Sequence, residues 1–506
     1  MNYSMYLSLA LATLGHRSPE TATPSPDLAA ALEPLLQALH AAVEAFRQGP
    51  VSPAQAARFE DDVQQHLRQL GQAVVQWTYN HLEPADVSDL PARVRFQGST
   101  FRRLRHKTPQ KLSTLFGTVT VHRLGYRAAA TEGEPVLFPL CRQLGVAHGA
   151  TPALLQRVAR YQAEGGATQR QTLARLRHEH GLSWGVKRLR QATAWLADAL
   201  EPHRAAAQAE HLLRWLTQAQ AARGSHRPVL AVGRDGITLG LRYKHCTLYE
   251  VASTGTITVY DRRGRRLGTV YLAQVPESGQ GTLGAQLTEV LTEVLRRWGG
   301  PLPRLCYVTD AGDNETAYYR RVLRRMRHPV TRQKLEWTWV VDYYHAAQRL
   351  SAMAEALFGA GPRAWSWVRK MQKVLLQPGG VRRVLHSAAA LRCRRTLGQK
   401  ALAEFGKAYR YLQGRRQHLR YADYRRQRLP IGSGVTEAAC KTVFTQRLKL
   451  SGMRWKKPGA QTILRLRVLL LSGVFSAVFD ALWQSPVGGE VRTPEQPSPA
   501  TQAVPA

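Results

Sequence analysis

The chain has 506 residues, and 71 Lys plus Arg against 35 Asp plus Glu give it a formal net charge of +36. That length gives about three domains and enough chain for a sizeable core, and so large a cationic excess points to a polyanionic partner, nucleic acid being the usual one. A mean hydropathy of −0.32 and the lack of any uncharged apolar run of about 18 residues argue against a spanning helix, while 44% hydrophobic residues is too rich for a mainly disordered basic chain.

Five cysteines, Cys141, Cys246, Cys306, Cys393 and Cys440, are odd in number and far apart, with no CxxC pair. Neither a disulfide framework nor a structural zinc site follows, and a reducing cytoplasmic setting is expected. The opening MNYSMYLSLALATLG is apolar, but no Lys or Arg precedes it, so it reads as a first helix rather than a signal peptide. Pro19, Pro24 and Pro26 then mark a flexible connection. Leu32, Leu35, Leu36 and Leu39, then Val63, Leu67, Leu70 and Val74, recur at helical spacing, making residues 1–90 an N-terminal helical region. Residues 91–145 alternate β-branched and basic side chains, as in GTVTVHRLGYRA, and read as a small basic β region with Gly117 opening a strand.

Residues 146–225 return to helix. In TQRQTLARLRHEHGLSWGVKRLRQATAWLADAL, Thr168 can cap one helix, Gly181 can turn the chain, and Ser183 can cap a second helix carrying Lys187, Arg188 and Arg190. Two readings stay open: a helix-turn-helix that lays its second helix on DNA, and a plain helical hairpin on a basic surface.

From 226 to 350 the pattern is α/β, and three apolar runs each stop at an aspartate: RPVLAVGRD at Asp235, RLCYVTD at Asp310 and WTWVVD at Asp342. Function in open α/β sheets gathers just beyond strand ends. TLYEVAS, GTITVYD and RLGTVYLAQV read as antiparallel strands and TLGAQLTEVLTEVLRRWG as an amphipathic helix, which is the element order of an RNase H-like core with a mixed five-stranded sheet. Residues 351–428 form a helical insertion broken at Pro378, Gly379 and Gly380, and residues 429–483 return to the core. There ILRLRVLLLSGVFSAVFDALW reads as one buried helix, and residues 484–506 read as a disordered tail.

With so few acids in the chain, carboxylates closing apolar strands suggest a hard cation. Mg²⁺ takes carboxylate oxygens, waters and phosphate oxygens, and two ions about 4 Å apart stabilise the entering and leaving oxygens of phosphoryl transfer. Asp235 and Asp310 can share one metal and Glu437 can complete the site. Each also has a plain reading: Asp235 as a turn former before Gly236, Asp310 as a helix cap, and Glu437 as a first-turn acid, beside Lys441, of a helix capped by Ser433. Asp342 fits packing or capping better than catalysis, and His345 is left outside the site. Around Glu437 crowd Lys441, Arg447, Lys449, Arg454, Lys456 and Lys457, with Trp455 among them. Such cations can hold a phosphate backbone and an indole can stack on an unpaired base; the alternative is a solvated basic helix.

The stretch LPIGSGVTEAACKTVFTQRLKLSGMRWKKPGAQTILRLR closely resembles the C-terminal signature of bacterial insertion-sequence transposases of the Kra group, and VGRDGI, YVTDAGDN and WVVDYYHAAQRL precede it in that family's order. The resemblance spans about residues 90–475. It implies a DDE transposase with an RNase H-like core, Asp235, Asp310 and Glu437 as catalytic carboxylates and metal ligands, and two Mg²⁺ ions for which Mn²⁺ can substitute. It further implies double-stranded DNA as partner, both element ends and target, a homodimer or higher assembly in synapsis, no membrane, and a cytoplasmic, nucleoid-associated place of work. The cysteine pair that relatives often carry is missing from RLGYRAAATEGEPVLFPL. Two other functions compete. A DNA-binding protein derived from a transposase but without catalysis would share the charge; a haloacid-dehalogenase-type phosphohydrolase would need a nucleophilic aspartate where this chain has Gly233.

Overall fold

A computed structural model describes residues 26–128 and 135–484, with 491 and 493. The expected first helix and nearly all of the expected tail lie outside the described residues. The chain divides into two compact units, one of residues 1–158, 168–193 and 482–506, the other of residues 159–167 and 194–481.

The first unit opens with α1 (Pro26–Gln48) and α2 (Pro53–Asn80). Ser52 caps α2, its hydroxyl accepting from Gln55 N at 3.3 Å, and the helical spacing of the leucines and valines is realised in this pair. The basic β region forms two small antiparallel sheets. One has the order β1-β2-β5, from β1 (Arg93–Phe96), β2 (Ser99–Arg103) and β5 (Tyr126–Ala128); the other pairs β3 (Thr108–Thr114) with β4 (Gly117–Arg123). Val94, Phe96, Phe101 and Tyr126 fill the core of the first, and Leu112, Val119 and Val121 that of the second.

Next come α3 (Pro139–Gln143), α4 (Pro152–Ala163), α5 (Gln169–His180) and α6 (Val186–Ala221). Thr168 caps α5 in a reciprocal pair with Gln171, and Gly181 ends it at φ 64°, as the sequence predicts. The second helix departs from expectation. It begins at Val186, so Ser183 lies outside it, and it runs for 36 residues rather than forming a short recognition helix. Its three expected DNA contacts differ in availability. Arg188 donates to the His148 and Gly149 carbonyls and stacks on Trp184 at 4.4 Å, Arg190 donates to Gln169 Oε1, and Lys187 stays exposed.

The second unit is an α/β body around a mixed five-stranded sheet of order β10-β9-β6-β7-β8. Its strands are β6 (Val229–Tyr243), β7 (Cys246–Tyr260), β8 (Arg266–Gln274), β9 (Arg304–Thr309) and β10 (Trp337–Val341); α7 (Gly281–Arg297) and α8 (Asp313–Arg321) flank it. β10, β9 and β6 run parallel, and β7 runs antiparallel to both of its neighbours, β6 and β8. Two expectations are corrected. β6 continues past Asp235 to Tyr243, and TLYEVAS and GTITVYD form one strand, β7, because the two make a long hairpin paired from Val229↔Tyr260 to Tyr243↔Cys246.

The insertion is helical as expected: α9 (Tyr343–Phe358), α10 (Pro362–Leu375), α11 (Gly380–Cys393), α12 (Gln399–Gly414) and α13 (Tyr421–Arg426). It shares one core with the sheet, Leu350, Met353 and Leu412 clustering with Val340 and Leu305. After it come α14 (Gly434–Ala439), a π-helical turn (Cys440–Thr445), α15 (Lys457–Leu471) and α16 (Phe475–Leu482). The apolar run expected as one helix is two, bent by 112°, since Gly473 takes φ 70° between them. No single helix among the described residues is long and apolar enough to cross a membrane.

Candidate carboxylate site

The parallel pairing of β6 with β9 ends at Gly233↔Val308. Asp235 and Asp310 each lie two residues beyond that pair on neighbouring strands, and the two-residue period puts both on the side of the sheet that Gly233 faces. Only β6 continues, because β7 still pairs with it there, Asp235 opposite Thr254. Asp310 follows the last residue of β9, as predicted.

α14 brings the third carboxylate over this face. Its approach depends on Gly233: a Cβ there would stand 1.9 Å from Thr436 Oγ1 and 2.7 Å from Thr256 Oγ1. Those two hydroxyls are hydrogen-bonded at 2.8 Å in the buried contact between α14 and β7. Glu437, the next residue, keeps an exposed side chain whose Oε1 accepts from Ser433 Oγ at 2.9 Å and lies 3.8 Å from His345 Nε2.

Each aspartate is held in place. Asp235 Oδ1 accepts from Gly236 N at 2.7 Å, and Oδ2 from the Cys440 thiol at 3.5 Å. Asp310 Oδ1 accepts from Gly312 N at 3.0 Å, while α12 grips the backbone beside it. Tyr411 OH donates to the Asp310 carbonyl at 2.7 Å, and Arg415 donates to that of Ala311 at 2.8 Å. Ala311 itself sits at φ 60°, a left-handed position that a non-glycine residue holds only under constraint from its surroundings.

Burial raises the Asp235 carboxyl, and the negative charges of Asp310 and Glu437 raise it further, outweighing the hydrogen bonds from Gly236 and Cys440. The charges of Asp310 and Glu437 therefore both reach Asp235. Cys440, buried beside Asp235, is pushed up to about 12 by burial first and then by the Asp235 charge, so it is a neutral donor. The folded chain thus holds the Asp235 proton more tightly than the unfolded chain. Stability falls as pH rises from the ordinary carboxylate range through the raised value, and the deficit persists at neutral pH. Asp235→Asn should be more stable than the wild type at pH 7 by about 1 kcal/mol, and the two should converge in acid; thermal unfolding from pH 4 to 8 measures this, and no gain at pH 7 would remove the crowding.

Asp342 is wholly buried and structural, as its sequence context suggested. Its Oδ1 caps α9 by accepting from His345 N at 2.8 Å, and its Oδ2 accepts from the backbone N–H and the hydroxyl of Ser433, the latter at 2.8 Å. Ser433 does not cap α14 with its side chain, contrary to expectation, because its hydroxyl lies between Asp342 and Glu437, which share its one proton. Removing it in Ser433→Ala leaves a buried carboxylate short of a donor and should cost about 1–2 kcal/mol in chemical denaturation. A loss below a few tenths would show the clasp to be idle.

The geometry adds two groups that sequence reasoning left out. The ligand atoms of Asp342, His345 and Glu437 all lie within 4.8 Å of one another; Asp342 is at 0% exposure, with its Oδ2 held by Ser433. Glu315, in the first turn of α8, is buried and raised by burial first, with Asp310 and Asp235 adding to the rise and Arg234 opposing it. Asp235, Asp310 and Glu437 remain reachable from solvent, and carboxylate oxygens are the donors that a hard divalent cation takes.

The basic segment after Glu437 divides. Lys441, Lys449, Arg454 and Lys456 are exposed. Arg447 is wholly buried, so its expected role as a DNA contact is corrected. Its Nε donates to the Gln162 carbonyl at 2.8 Å, and Arg467 donates to that of Ala163, so two cations cap the C-terminus of α4. Trp455 is corrected as an open stacking surface as well: its ring lies 5.0 Å from the Arg447 guanidinium and its Nε1 donates to Leu448 O at 3.1 Å. No protein-family model matches the chain, and no curated protein matches it.

Proposed function

We propose that the chain is an insertion-sequence DNA transposase that binds its element's terminal inverted repeats, cuts the phosphodiester at each end, and joins the freed 3′-OH to target DNA. The observation that carries this reading is the pair Asp235 and Asp310, level on adjacent parallel strands, with Glu437 acting on the same charge from α14. The strand order, with β7 alone reversed between β6 and β8, fits an RNase H-like core. Water and then the 3′-OH are the nucleophiles in this reading, with no protein side chain attacking phosphorus.

Asp235, Asp310 and Glu437 would hold Mg²⁺, two ions with Mn²⁺ as substitute. When bound, that metal supplies Lewis-acid stabilisation of the entering and leaving oxygens. The chain's own residues position the ligands. Gly236 and Cys440 orient Asp235, Gly312 and Tyr411 fix Asp310, and Ser433 holds Glu437. Exposed Lys441, Lys449, Arg454 and Lys456 lie on the segment after Glu437, where they can attract duplex DNA. Lys187 and the start of α6 offer a further basic surface in a helix-turn-helix-like setting. Work on DNA as a homodimer or higher assembly in the bacterial cytoplasm, at the nucleoid, completes the reading.

One observation favours a DNA-binding relative without catalysis: Glu437 clusters with His345 and the Asp342 clasp at ligand distance. The gene's native flanking ends on a donor plasmid decide between the two. Excision and integration in Mg²⁺ support the transposase, whereas end-specific binding with no strand cleavage in Mg²⁺ or Mn²⁺ overturns it.

A further inference from the structure

On the side of the sheet away from Glu437, α7 and α8 enclose a cleft of about 740 Å³, within the range that holds a small organic ligand. Gly279, Gly281, Gly284, Ala285 and Ala317 make a small-residue stretch of its wall, beside Thr288, Glu289 and Tyr318. Arg234, between Gly233 and Asp235, turns the opposite way from Asp235 and reaches this cleft.

Arg234 is 2% exposed. Its Nη2 donates to Gln280 Oε1 at 2.8 Å and its guanidinium lies 4.6 Å from the Tyr318 ring centre, but its Nε has no hydrogen-bond partner. Gln280 adopts φ 50° to present that amide, a left-handed conformation outside glycine. Buried donors are almost always satisfied, and a buried guanidinium short of one acceptor points to a missing one. Glu315 opposes the Arg234 charge electrostatically, yet no hydrogen bond joins the two. At the rim Arg296 is paired with Glu293, whereas Arg321 is exposed and makes no ion pair among the described residues.

We propose that this cleft is a binding site for a single nucleotide, its phosphate held between Arg321 and Arg234 and its base against the small-residue wall. A guanidinium suits a phosphate, and here a buried one with its Nε unpartnered stands with an exposed one at the rim. The choice of a nucleotide rests on the DNA reading above; the anion chemistry does not. Arg234 is next to Asp235 in the strand, so a nucleotide seated here belongs either to the strand being processed or to the free pool.

The test is calorimetric titration of the full chain, without divalent metal, with dAMP, inorganic phosphate and deoxyadenosine. dAMP should bind and deoxyadenosine should bind at least tenfold more weakly, the loss of one charge-assisted contact. Arg321→Gln and Ala285→Trp change exposed cleft residues and spare the core; each should weaken dAMP tenfold or more. Arg234→Gln should abolish binding, with its fold checked by circular dichroism. Displacement of dAMP by a short single-stranded oligonucleotide assigns the site to the DNA strand; no displacement overturns that assignment and leaves a free nucleotide as ligand. Absence of dAMP binding at millimolar concentration, or equal binding by Arg321→Gln and Ala285→Trp, overturns the cleft. If dAMP binds while no DNA is cut, the cleft stands and the transposase reading falls; the reverse pattern removes the cleft alone.

Discussion

Asp310→Asn is expected to keep binding to the element ends and to lower Mg²⁺-dependent cleavage about 10³-fold or more. Several kcal/mol of transition-state charge stabilisation depend on a metal clamp, and each 1.4 kcal/mol is about tenfold in rate. Asparagine keeps the acceptor for Gly312 N–H, and the grip of Tyr411 and Arg415 is on backbone carbonyls, so the loop should hold its shape. What changes is the charge. Asp235→Asn should behave alike in cleavage while gaining stability, a combination that a damaged fold does not produce. Band-shift binding and end-cleavage assays on the same preparations measure both, and cleavage by Asp310→Asn at the wild-type rate would take it out of the site.

The second large effect comes from a residue with no side chain. Gly233→Ala would drive a methyl group to 1.9 Å from Thr436 Oγ1, a separation that no rotamer of alanine can relieve. Thr436 must turn its hydroxyl away and give up its bond to Thr256, or β6 and α14 must part, at a cost of about 1–3 kcal/mol. Because Glu437 follows Thr436 directly, a shift near 1 Å should also cost about 10²-fold in cleavage. Adding Thr436→Ala removes the offending hydroxyl and should recover part of both losses, although the Thr256 contact at 2.7 Å stays. Denaturation and cleavage of the single and double variants test this. A Gly233→Ala chain as stable and active as the wild type would mean that α14 does not sit on β6 as described.

Much of this was legible in the residues. The apolar runs gave the strand ends at Thr309 and Val341, and the order of strands and helix in the second unit held. The run ending at Asp235 misled because a change from two buried faces to one looks like an end. Beyond it, Ile237, Leu239 and Leu241 point inward while Gly236, Thr238 and Arg242 do not, an alternation that marks a continuing strand. The clasp of Asp342 with Ser433 joins residues far apart in the chain, and no local pattern announces such a pair. Arg447 was misread because charge was counted without its apolar setting: Val443, Phe444 and Leu448 around it are all buried. Glu315 gave only the signal of an acid at a helix start, which the helix dipole already explains. The π-helical turn at Cys440–Thr445, the kind of irregularity often found at functional sites, has no period to read.

The grip of α12 on the Asp310 loop bears on synthesis. Chains emerge from the ribosome N-terminus first at about 5–20 residues per second. When Asp310 has left the exit tunnel, the hydroxyl and guanidinium that fix its loop, on Tyr411 and Arg415, have yet to be made, and Ser433 and Glu437 come later still. A chain that stops before α12 therefore lacks the groups that fix the Asp310 loop, the part of the core that α12 supplies to the sheet, and Glu437 itself.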